Sequence, residues 1–459
     1  MKTEYEEVVI NGCLPKAVEE KDITFIDYDG TYVASYTLEE VAVLTELPEA
    51  PDHTNIGLTF QEWNWRLDEI KEFGRKLFVG ANYITTDGKT RIHFTLDDER
   101  FLNPSICFVQ SKANGVLIDW GDGSPTELSD STTGSAATPN VTMPSHTYSS
   151  CGSYVITLEC IDGTFWFVSK SNIAGGYMYD VLTLPQQQYY QNFVYIDTVT
   201  ELEIGKDCTR VACRSANLNK LNIPAHVLGL SEINYKSVIQ PHDCHGISYA
   251  LYGRNPHIIS LSKATPNDTS INFITTYNLS KLTIPDYDKD LKLTLTHCYV
   301  NELYIPDSIV SFENSCFNNS SIKYLSGMNR LTSVGANAFY NSRLVSFEAP
   351  TCLTTITASA FDSAGELVYF KTTSPQVSFG NNSFKLGGRN TVRYYDFTNA
   401  TVIDGVLSYT FGTNVFYNIG AGTKIMFATK EIADVAKETT NLTAYADYIH
   451  YLGEEDEVE

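Results

Sequence analysis

Four phenylalanines in the C-terminal half of the sequence recur at an almost constant interval. Phe317, Phe339 and Phe361 are 22 residues apart, and Phe384 follows after 23. A period this regular predicts one supersecondary unit stacked on copies of itself, a solenoid in which these rings share one core. Solenoids offer long open surfaces and seldom a deep pocket, so the repeat favours binding over catalysis.

The repeat unit reads Leu-x-x-Ile-x-Ile-Pro and recurs from about residue 195 to 390. Its apolar side chains are expected to point into a continuous core, and its proline ends each strand where no ladder hydrogen bond is lost. Four copies match it best and cover 218–224, 279–285, 300–306 and 344–350. The asparagines after the strands suit turn or left-handed positions; they are Asn318, Asn319, Asn341 and Asn382. The pattern resembles the BspA-like bacterial class of leucine-rich repeat, most closely from 300 to 384.

The acidic balance of the chain limits its partners. Lys and Arg number 32 and Asp and Glu 55, so the net charge is −23. A nucleic-acid partner needs a basic footprint, so none is expected. The sequence has no apolar run of about 18 residues, and we therefore expect no membrane span. It begins without the pattern of a signal peptide, so most of the ten cysteines are expected to be reduced. Cys151 and Cys160 flank a strand and pair only if the protein matures in an oxidising medium.

The first 103 residues are predicted to form a small α+β domain. Two strands flank a turn at Asp29, and a capping box at Thr37 opens a helix. A second capping box, at Thr59 with Glu62, predicts a helix that ends at Gly74. A hairpin is predicted next, with strands 76–85 and 91–96 around Asp87-Gly88.

The second unit is predicted to be a β-sandwich. Trp120-Gly121-Asp122-Gly123, His146-Thr147-Tyr148 and Gly152-Ser153-Tyr154-Val155-Ile156 resemble the signature of the polycystic-kidney-disease (PKD) domain. The glycines supply turn backbone, and Trp120 and Tyr154 are expected in the sandwich core. The resemblance implies a spacer or adhesion module.

The C-terminal segment is predicted to cap the solenoid. Two short helices are expected between 429 and 452, separated by Thr439-Thr440-Asn441, and the last six residues read as a solvated acidic tail. The predicted fold is therefore mainly β with some α, in four parts. These are the N-terminal α+β attachment domain 1–103, the PKD-like sandwich 104–172, the repeat solenoid 173–428, and the helical cap and acidic tail 429–459.

No residue pattern for catalysis, a cofactor or a metal stands out. His242, Cys244 and His245 lie close in sequence, but no second ligand pair follows at zinc spacing. Asp119 and Asp122 are interpreted as turn carboxylates rather than calcium ligands. The nucleophile elbow, the P-loop and the dinucleotide fingerprint are all missing. The chain is therefore predicted not to be an enzyme, with no catalytic, cofactor or metal residues.

Tyrosines at outward positions of the repeat strands are the candidate ligand-binding residues. Tyr324 and Tyr369 share one strand position, and Tyr304 lies two places on. Stacked strands are about 4.8 Å apart, so such rings form a stripe suited to sugars or protein epitopes. The alternative, left open, is that they are ordinary strand residues of high β-propensity.

A second resemblance suggests where such a protein works. Segments 25–31, 57–65 and 85–92 resemble the N-terminal part of leucine-rich-repeat proteins of phages and prophages of gut Firmicutes. The resemblance implies a virion protein, made in the bacterial cytoplasm without a signal peptide and released by lysis. Its N-terminal domain would bind other virion proteins, its solenoid a host surface protein or glycan, and symmetry by analogy suggests a trimer. The alternatives are a bacterial surface adhesin and, third, a glycan-degrading enzyme.

Overall fold

The protein, described by a computed structural model, is mainly β with few helices. The structure describes residues 21–135, 138–168, 170–172, 177–183, 199–215, 217–248, 257–273, 278–386 and 393–454. The first residues of the chain and the acidic tail beyond Glu454, about which expectations were stated, lie outside these ranges. No helix in the described ranges has the length and apolar character needed to cross a membrane.

The N-terminal unit is a four-stranded sheet with two short helices and a core of its own. The two middle strands are parallel, and each outer strand pairs antiparallel with its neighbour. In sheet order the strands are Tyr32–Tyr36, Ile23–Ile26, Leu77–Thr85 and Leu58–Trp63. The helical segments are α-helices Leu38–Val43 and Leu67–Phe73 and 3-10 helices Thr54–Ile56 and Glu99–Phe101.

The helix predicted to begin at Thr59 is wrong in its first half. The capping box at Thr37 is confirmed, and Gly74 is the left-handed C-cap with φ of 58°. Residues 58–63, however, form a strand, and the second helix begins only at Leu67. Pairing with Leu77–Thr85 satisfies the backbone hydrogen bonds of 58–63. This pairing overrides the local capping signal, because tertiary contacts outweigh intrinsic helix propensity.

The predicted hairpin is also wrong, although its strands and turn exist. The Gly88 N–H donates to the Thr85 carbonyl at 3.0 Å, as a tight turn requires. The strand after the turn, Thr90–Leu96, nevertheless pairs antiparallel with Gly152–Cys160. Leu77–Thr85 therefore belongs to the first sheet and Thr90–Leu96 to the second. Both sheets have more than two strands, and such sheets are more stable than an isolated two-stranded hairpin.

Thr90–Leu96 is a central strand of the second unit, whose larger sheet has six strands. In sheet order they are Lys220–Leu221, Val199–Glu203, Thr90–Leu96, Gly152–Cys160, Val116–Asp119 and Glu127–Leu128. The smaller pairings are Phe108–Gln110 with Phe165–Phe167, Ser105–Ile106 with Leu182–Thr183, and Lys170–Asn172 with Tyr177–Tyr179.

The sequence motifs of this unit meet around Trp120, which is fully buried. The Tyr148 hydroxyl donates to the Trp120 carbonyl at 2.9 Å, and the His146 ring stacks on the indole at 5.1 Å. The turn interpretation of Asp122 is confirmed, since its carboxylate accepts the Ser124 N–H at 3.0 Å. Cys151 and Cys160, left open above, are free thiols.

The solenoid consists of about ten turns, with two ladders of parallel strands side by side. We call first ladder the strands that carry the repeat motif: Val199–Glu203, Lys220–Leu221, Ser237–Ile239, Ile258–Ser260, Lys281–Thr283, Glu302–Ile305, Tyr324–Gly327, Ser346–Ala349, Tyr369–Thr372, Tyr394–Asp396, Lys424–Phe427 and Ile449–Tyr451. The second ladder follows it in each turn: Arg210–Cys213, Gly229–Ile233, Gly246–Ser248, Ser270–Phe273, Leu291–Leu295, Ile309–Phe312, Ser333–Val334, Thr355–Ile356, Ser378–Phe379 and Thr410–Phe411. A hairpin of Val402–Ile403 with Val406–Leu407 projects between two turns.

The shared phenylalanine core is confirmed. Rings in successive turns lie nearly parallel, with centroids 5.1, 4.9 and 5.2 Å apart from Phe317 through Phe339 and Phe361 to Phe384. Phe416 continues the row at 5.6 Å. We call these five rings the phenylalanine spine. They belong to one hydrophobic core that runs from the second unit to the C-terminal helix.

The corner segments that carry the spine turn through left-handed residues, as predicted for Asn319, Asn341 and Asn382, whose φ angles are 52°, 52° and 56°. The Asn341 amide donates to the Asn319 side-chain oxygen of the preceding turn at 2.7 Å. Asn318 is not among the left-handed residues. The hydrogen bond between the Asn319 and Asn341 side chains connects two neighbouring corners.

The C-terminal cap differs in part from the prediction. Thr429 caps the α-helix Lys430–Glu438, as expected. The second helix is a short 3-10 segment, Thr443–Tyr448, and Ile449–Tyr451 is a strand that pairs with Lys424–Phe427. Backbone pairing with the exposed ladder edge outweighs the helical spacing of a few apolar residues.

Candidate recognition surface

The N-terminal unit covers the outer face of the early strands of the first ladder. A Cβ on Gly80 would lie 2.6 Å from Ile239, so the strand Leu77–Thr85 reaches this closely only because residue 80 is glycine. Thr283 on a later strand donates its hydroxyl to the Lys76 carbonyl at 3.1 Å. These contacts place the N-terminal unit against the outer face of these strands.

Buried side-chain amides lock this contact into one register. The Asn64 amide donates to the Gln240 carbonyl and to the Ser260 hydroxyl, both at 3.0 Å. Asn222 donates to the Tyr83 carbonyl at 3.0 Å, and Asn82, the residue before Tyr83, donates to the Ile223 carbonyl at 2.9 Å. We call these contacts the interlock. The NH2 group of each of these buried amides donates to a backbone or hydroxyl oxygen, so sliding would leave these donors unsatisfied.

Beyond Tyr304 the outer face of the first ladder is open. We define the open face by two neighbouring rows that follow the strand register. One row reads Tyr324, Ser346, Tyr369, Tyr394 and Lys424, and the other reads Ser326, Glu348, Lys371 and Asp396. The first row carries aromatic rings and the second alternates acidic and basic groups, so the face combines apolar and charged contacts.

The structure places the three predicted tyrosines in different surroundings. Tyr304 is half-buried under Arg75, whose guanidinium carbon is 4.1 Å from the ring centroid. Tyr324 is 48% exposed on the open face. Tyr369 stacks on Tyr394, with centroids 5.9 Å apart and an interplanar angle of 19°. Two of the three therefore lie on the open face, and the third lies at its border with the N-terminal unit.

Sequence reasoning missed Tyr394. Tyr394-Tyr395-Asp396 repeats the aromatic pair of Tyr369-Phe370, but it comes after 25 residues rather than 22 and lacks the leucine that opens the motif. The signal that could have found it is the pair of adjacent aromatic residues in each strand. Phe370 and Tyr395 are buried, and successive side chains of a strand point to opposite faces, so Tyr369 and Tyr394 point outward.

Tyr369 donates a hydrogen bond on the open face. Its hydroxyl lies 3.4 Å from a carboxylate oxygen of Asp396, and Lys371 Nζ lies 3.6 Å from that same oxygen. Burial, together with the negative charges of Asp396 and Glu348, raises the pKa of Tyr369 to about 12. The phenol O–H is directed at Asp396, so the hydroxyl oxygen can accept a hydrogen bond from a ligand.

The segment with His242, Cys244 and His245 does not assemble a metal site. His242 lies 3.1 Å from Glu69 of the N-terminal unit, and Cys244 is buried. His245 contacts the Thr265 carbonyl at 2.9 Å. The three side chains thus take separate structural partners.

His93, Glu201 and Glu203 are the one group of three potential metal ligands in the described ranges, with ligand atoms within 4.8 Å of one another. Lys220 Nζ lies 2.6 Å from one oxygen of Glu203, and Arg91 lies 3.7 Å from the other. Two cations already neutralise Glu203, so the group is an ion-pair network at the base of the solenoid.

Comparison with known proteins agrees with this architecture. The family profile described as BspA type leucine-rich repeat region matches 292–419 in six copies. Residues 292–419 form a BspA-type leucine-rich repeat region. This region contains most of the open face, and a leucine-rich repeat solenoid indicates a protein-interaction or adhesin-like role.

One solved structure found by the comparison is a leucine-rich repeat protein from Bacteroides ovatus ATCC 8483. It is 14% identical, with a TM-score of 0.26, and the alignment covers 62% of this chain and 90% of that one. No curated protein matches.

Proposed function

We propose that this chain is a non-enzymatic recognition protein that binds a cell-surface protein or glycan through the open face. The observation that carries the proposal is the division of the first ladder into a covered part and an open part. The open part presents Tyr324 and the stacked pair of Tyr369 and Tyr394 beside alternating charges. A broad wall of this kind suits macromolecular recognition, where aromatic side chains supply most of the binding free energy.

The finer proposal is a phage virion appendage. In this proposal the N-terminal unit attaches to other virion proteins through the side that faces away from the solenoid, and the PKD-like sandwich acts as a spacer. The resemblance of the N-terminal segments supports it. A bacterial adhesin is the alternative, and a glycan-degrading enzyme would require two carboxyl groups about 5–9 Å apart across a cleft.

The recognition role is tested with a double substitution, Tyr369→Ala with Tyr394→Ala. Fluorescently labelled protein is titrated onto a panel of intact gut Firmicutes cells, and binding is measured by flow cytometry. We expect the double variant to bind roughly tenfold or more weakly, because the paired rings are central aromatic contacts.

The matched control is the pair Tyr340→Ala and Tyr417→Ala, which removes two tyrosines that are 39% and 48% exposed but lie outside the open face. Equal losses in both double variants would contradict the proposal. Immunogold labelling of purified phage particles separates the virion protein from a cellular adhesin, since only a virion protein labels the particles.

A further inference from the structure

A second concave surface lies where the N-terminal unit ends against the solenoid. We call it the junction groove. It has a volume of about 520 Å³ and lies between the segment 73–78 and the strands Lys281–Thr283 and Glu302–Ile305. This volume falls in the range of small-molecule sites.

The junction groove concentrates cations in a chain with a net charge of −23. Arg75, Lys76 and Lys281 line it, together with the acidic residues Asp22 and Glu302. The Asp22 carboxylate accepts the Leu38 N–H at 3.1 Å. Three of the five charged residues that line the groove are therefore basic, whereas the chain as a whole is strongly acidic, and this local balance favours an anion.

Aromatic rings hold these cations in place. The Arg75 guanidinium carbon lies 4.1 Å from the Tyr304 centroid and 5.0 Å from that of Phe73. Lys76 and Lys281 Nζ lie 5.8 and 5.7 Å from the Phe78 centroid. The contacts fix Arg75 over a ring face, so its N–H groups are oriented before any ligand arrives.

Arg75 also has an unmet hydrogen bond. Its Nη1 atom is buried and has no hydrogen-bond partner among the residues the structure describes. A buried, unpaired N–H on a charged group is costly, and an anion bound beside the guanidinium offsets part of that cost by charge attraction. A carboxylate is the best-matched anion, because the planar guanidinium can bind both of its oxygens.

We propose that the junction groove binds a carboxylate-bearing sugar of one or two units, with its carboxylate on Arg75. Lys76 and Lys281 add charge attraction, and the apolar lining from Phe73 and Tyr304 contacts the sugar ring. A groove of this volume is in the size range of small-molecule sites and suits a compact ligand. The site does not rest on the recognition role proposed above, because it uses none of the open-face residues.

The test is isothermal titration of the full chain with digalacturonic acid, with the corresponding neutral galactose disaccharide and with sodium sulfate. We expect digalacturonic acid to bind and the neutral disaccharide not to. Arg75→Gln is expected to weaken binding by roughly tenfold or more, and Arg75→Lys to restore only part of it, because lysine keeps the charge and loses the planar fork.

Lys281→Gln is the second variant, since it removes a charge from the junction groove and keeps the contact between Arg75 and Tyr304. We expect it to weaken the binding of digalacturonic acid at least twofold. The double variant Tyr369→Ala and Tyr394→Ala should bind digalacturonic acid like the unmodified protein, whatever its effect on cell binding. Binding of the neutral disaccharide with equal affinity, full competition by sulfate at similar concentrations, or unchanged binding in both charge variants would each overturn the proposal.

Discussion

At the scale of single residues, the phenylalanine spine is what the sequence predicts best. One ring per 22-residue turn places each phenylalanine above its predecessor, and Phe361 stacks between Phe339 and Phe384 at 4.9 and 5.2 Å. The prediction succeeds because the stacking is periodic along the chain. The unpaired Nη1 of Arg75 has no such signature, because its surroundings come from segments more than 200 residues apart.

Phe361→Ala is expected to destabilise the protein by about 3–5 kcal/mol, since it removes a fully buried ring from a well-packed row. Tyr340→Ala, 39% exposed on a neighbouring corner, should change stability by less than about 1 kcal/mol. Urea unfolding followed by circular dichroism measures both. Similar midpoints for the two variants would show that the spine does not carry the packing.

At the scale of elements, local signals were reliable only where no distant strand competed. The capping box at Thr37 opens a helix, whereas the equivalent signal at Thr59 lies in a strand paired with Leu77–Thr85. The strands on either side of Asp87-Gly88 were likewise correct in position and wrong in partner. Pairing partners depend on which distant segments meet, and a short window of sequence does not contain that information.

Gly335 shows how closely successive turns approach. A Cβ at this position would lie 2.5 Å from the Glu313 carbonyl carbon in the preceding turn. Gly335→Ala is therefore expected to destabilise the protein by about 2 kcal/mol or more. Gly152→Ala is the control, because a Cβ at this position would lie 3.5 Å from the Tyr154 hydroxyl, an ordinary van der Waals distance. This substitution should leave the melting temperature nearly unchanged. Equal melting temperatures in the two variants would contradict this account of the turn spacing.

At the scale of the whole molecule, the interlock joins residues that the sequence gives no reason to associate. Asn64 bonds to residues 176 and 196 positions away. Such a contact has no period and no motif, so the docking of the N-terminal unit could not be foreseen. It also decides which part of the predicted tyrosine stripe stays open, since Tyr304 falls at the border and Tyr324 beyond it.

The ion-pair network at the base of the solenoid should make stability depend on pH. Burial alone would raise the pKa of Glu203, but the hydrogen bond and charge of Lys220, together with the neighbouring His93, outweigh burial and lower the pKa from 4.5 to about 2. The stabilisation is therefore present above pH 4.5 and is lost as the pH falls toward 2. Glu203→Gln should melt at a lower temperature at pH 6, and this difference from the unmodified protein should shrink between pH 4.5 and 2.5. A difference that stays constant across that range would contradict the assignment.

The division of the first ladder has a consequence for how the protein can diversify. Turns between Tyr324 and Tyr394 contact only their neighbours and touch none of the interlock. A gene duplication that adds 22 residues there would lengthen the exposed wall by about 4.8 Å and leave the anchoring of the N-terminal unit unchanged. Reach and specificity can thus vary among descendants of this chain while its base stays the same.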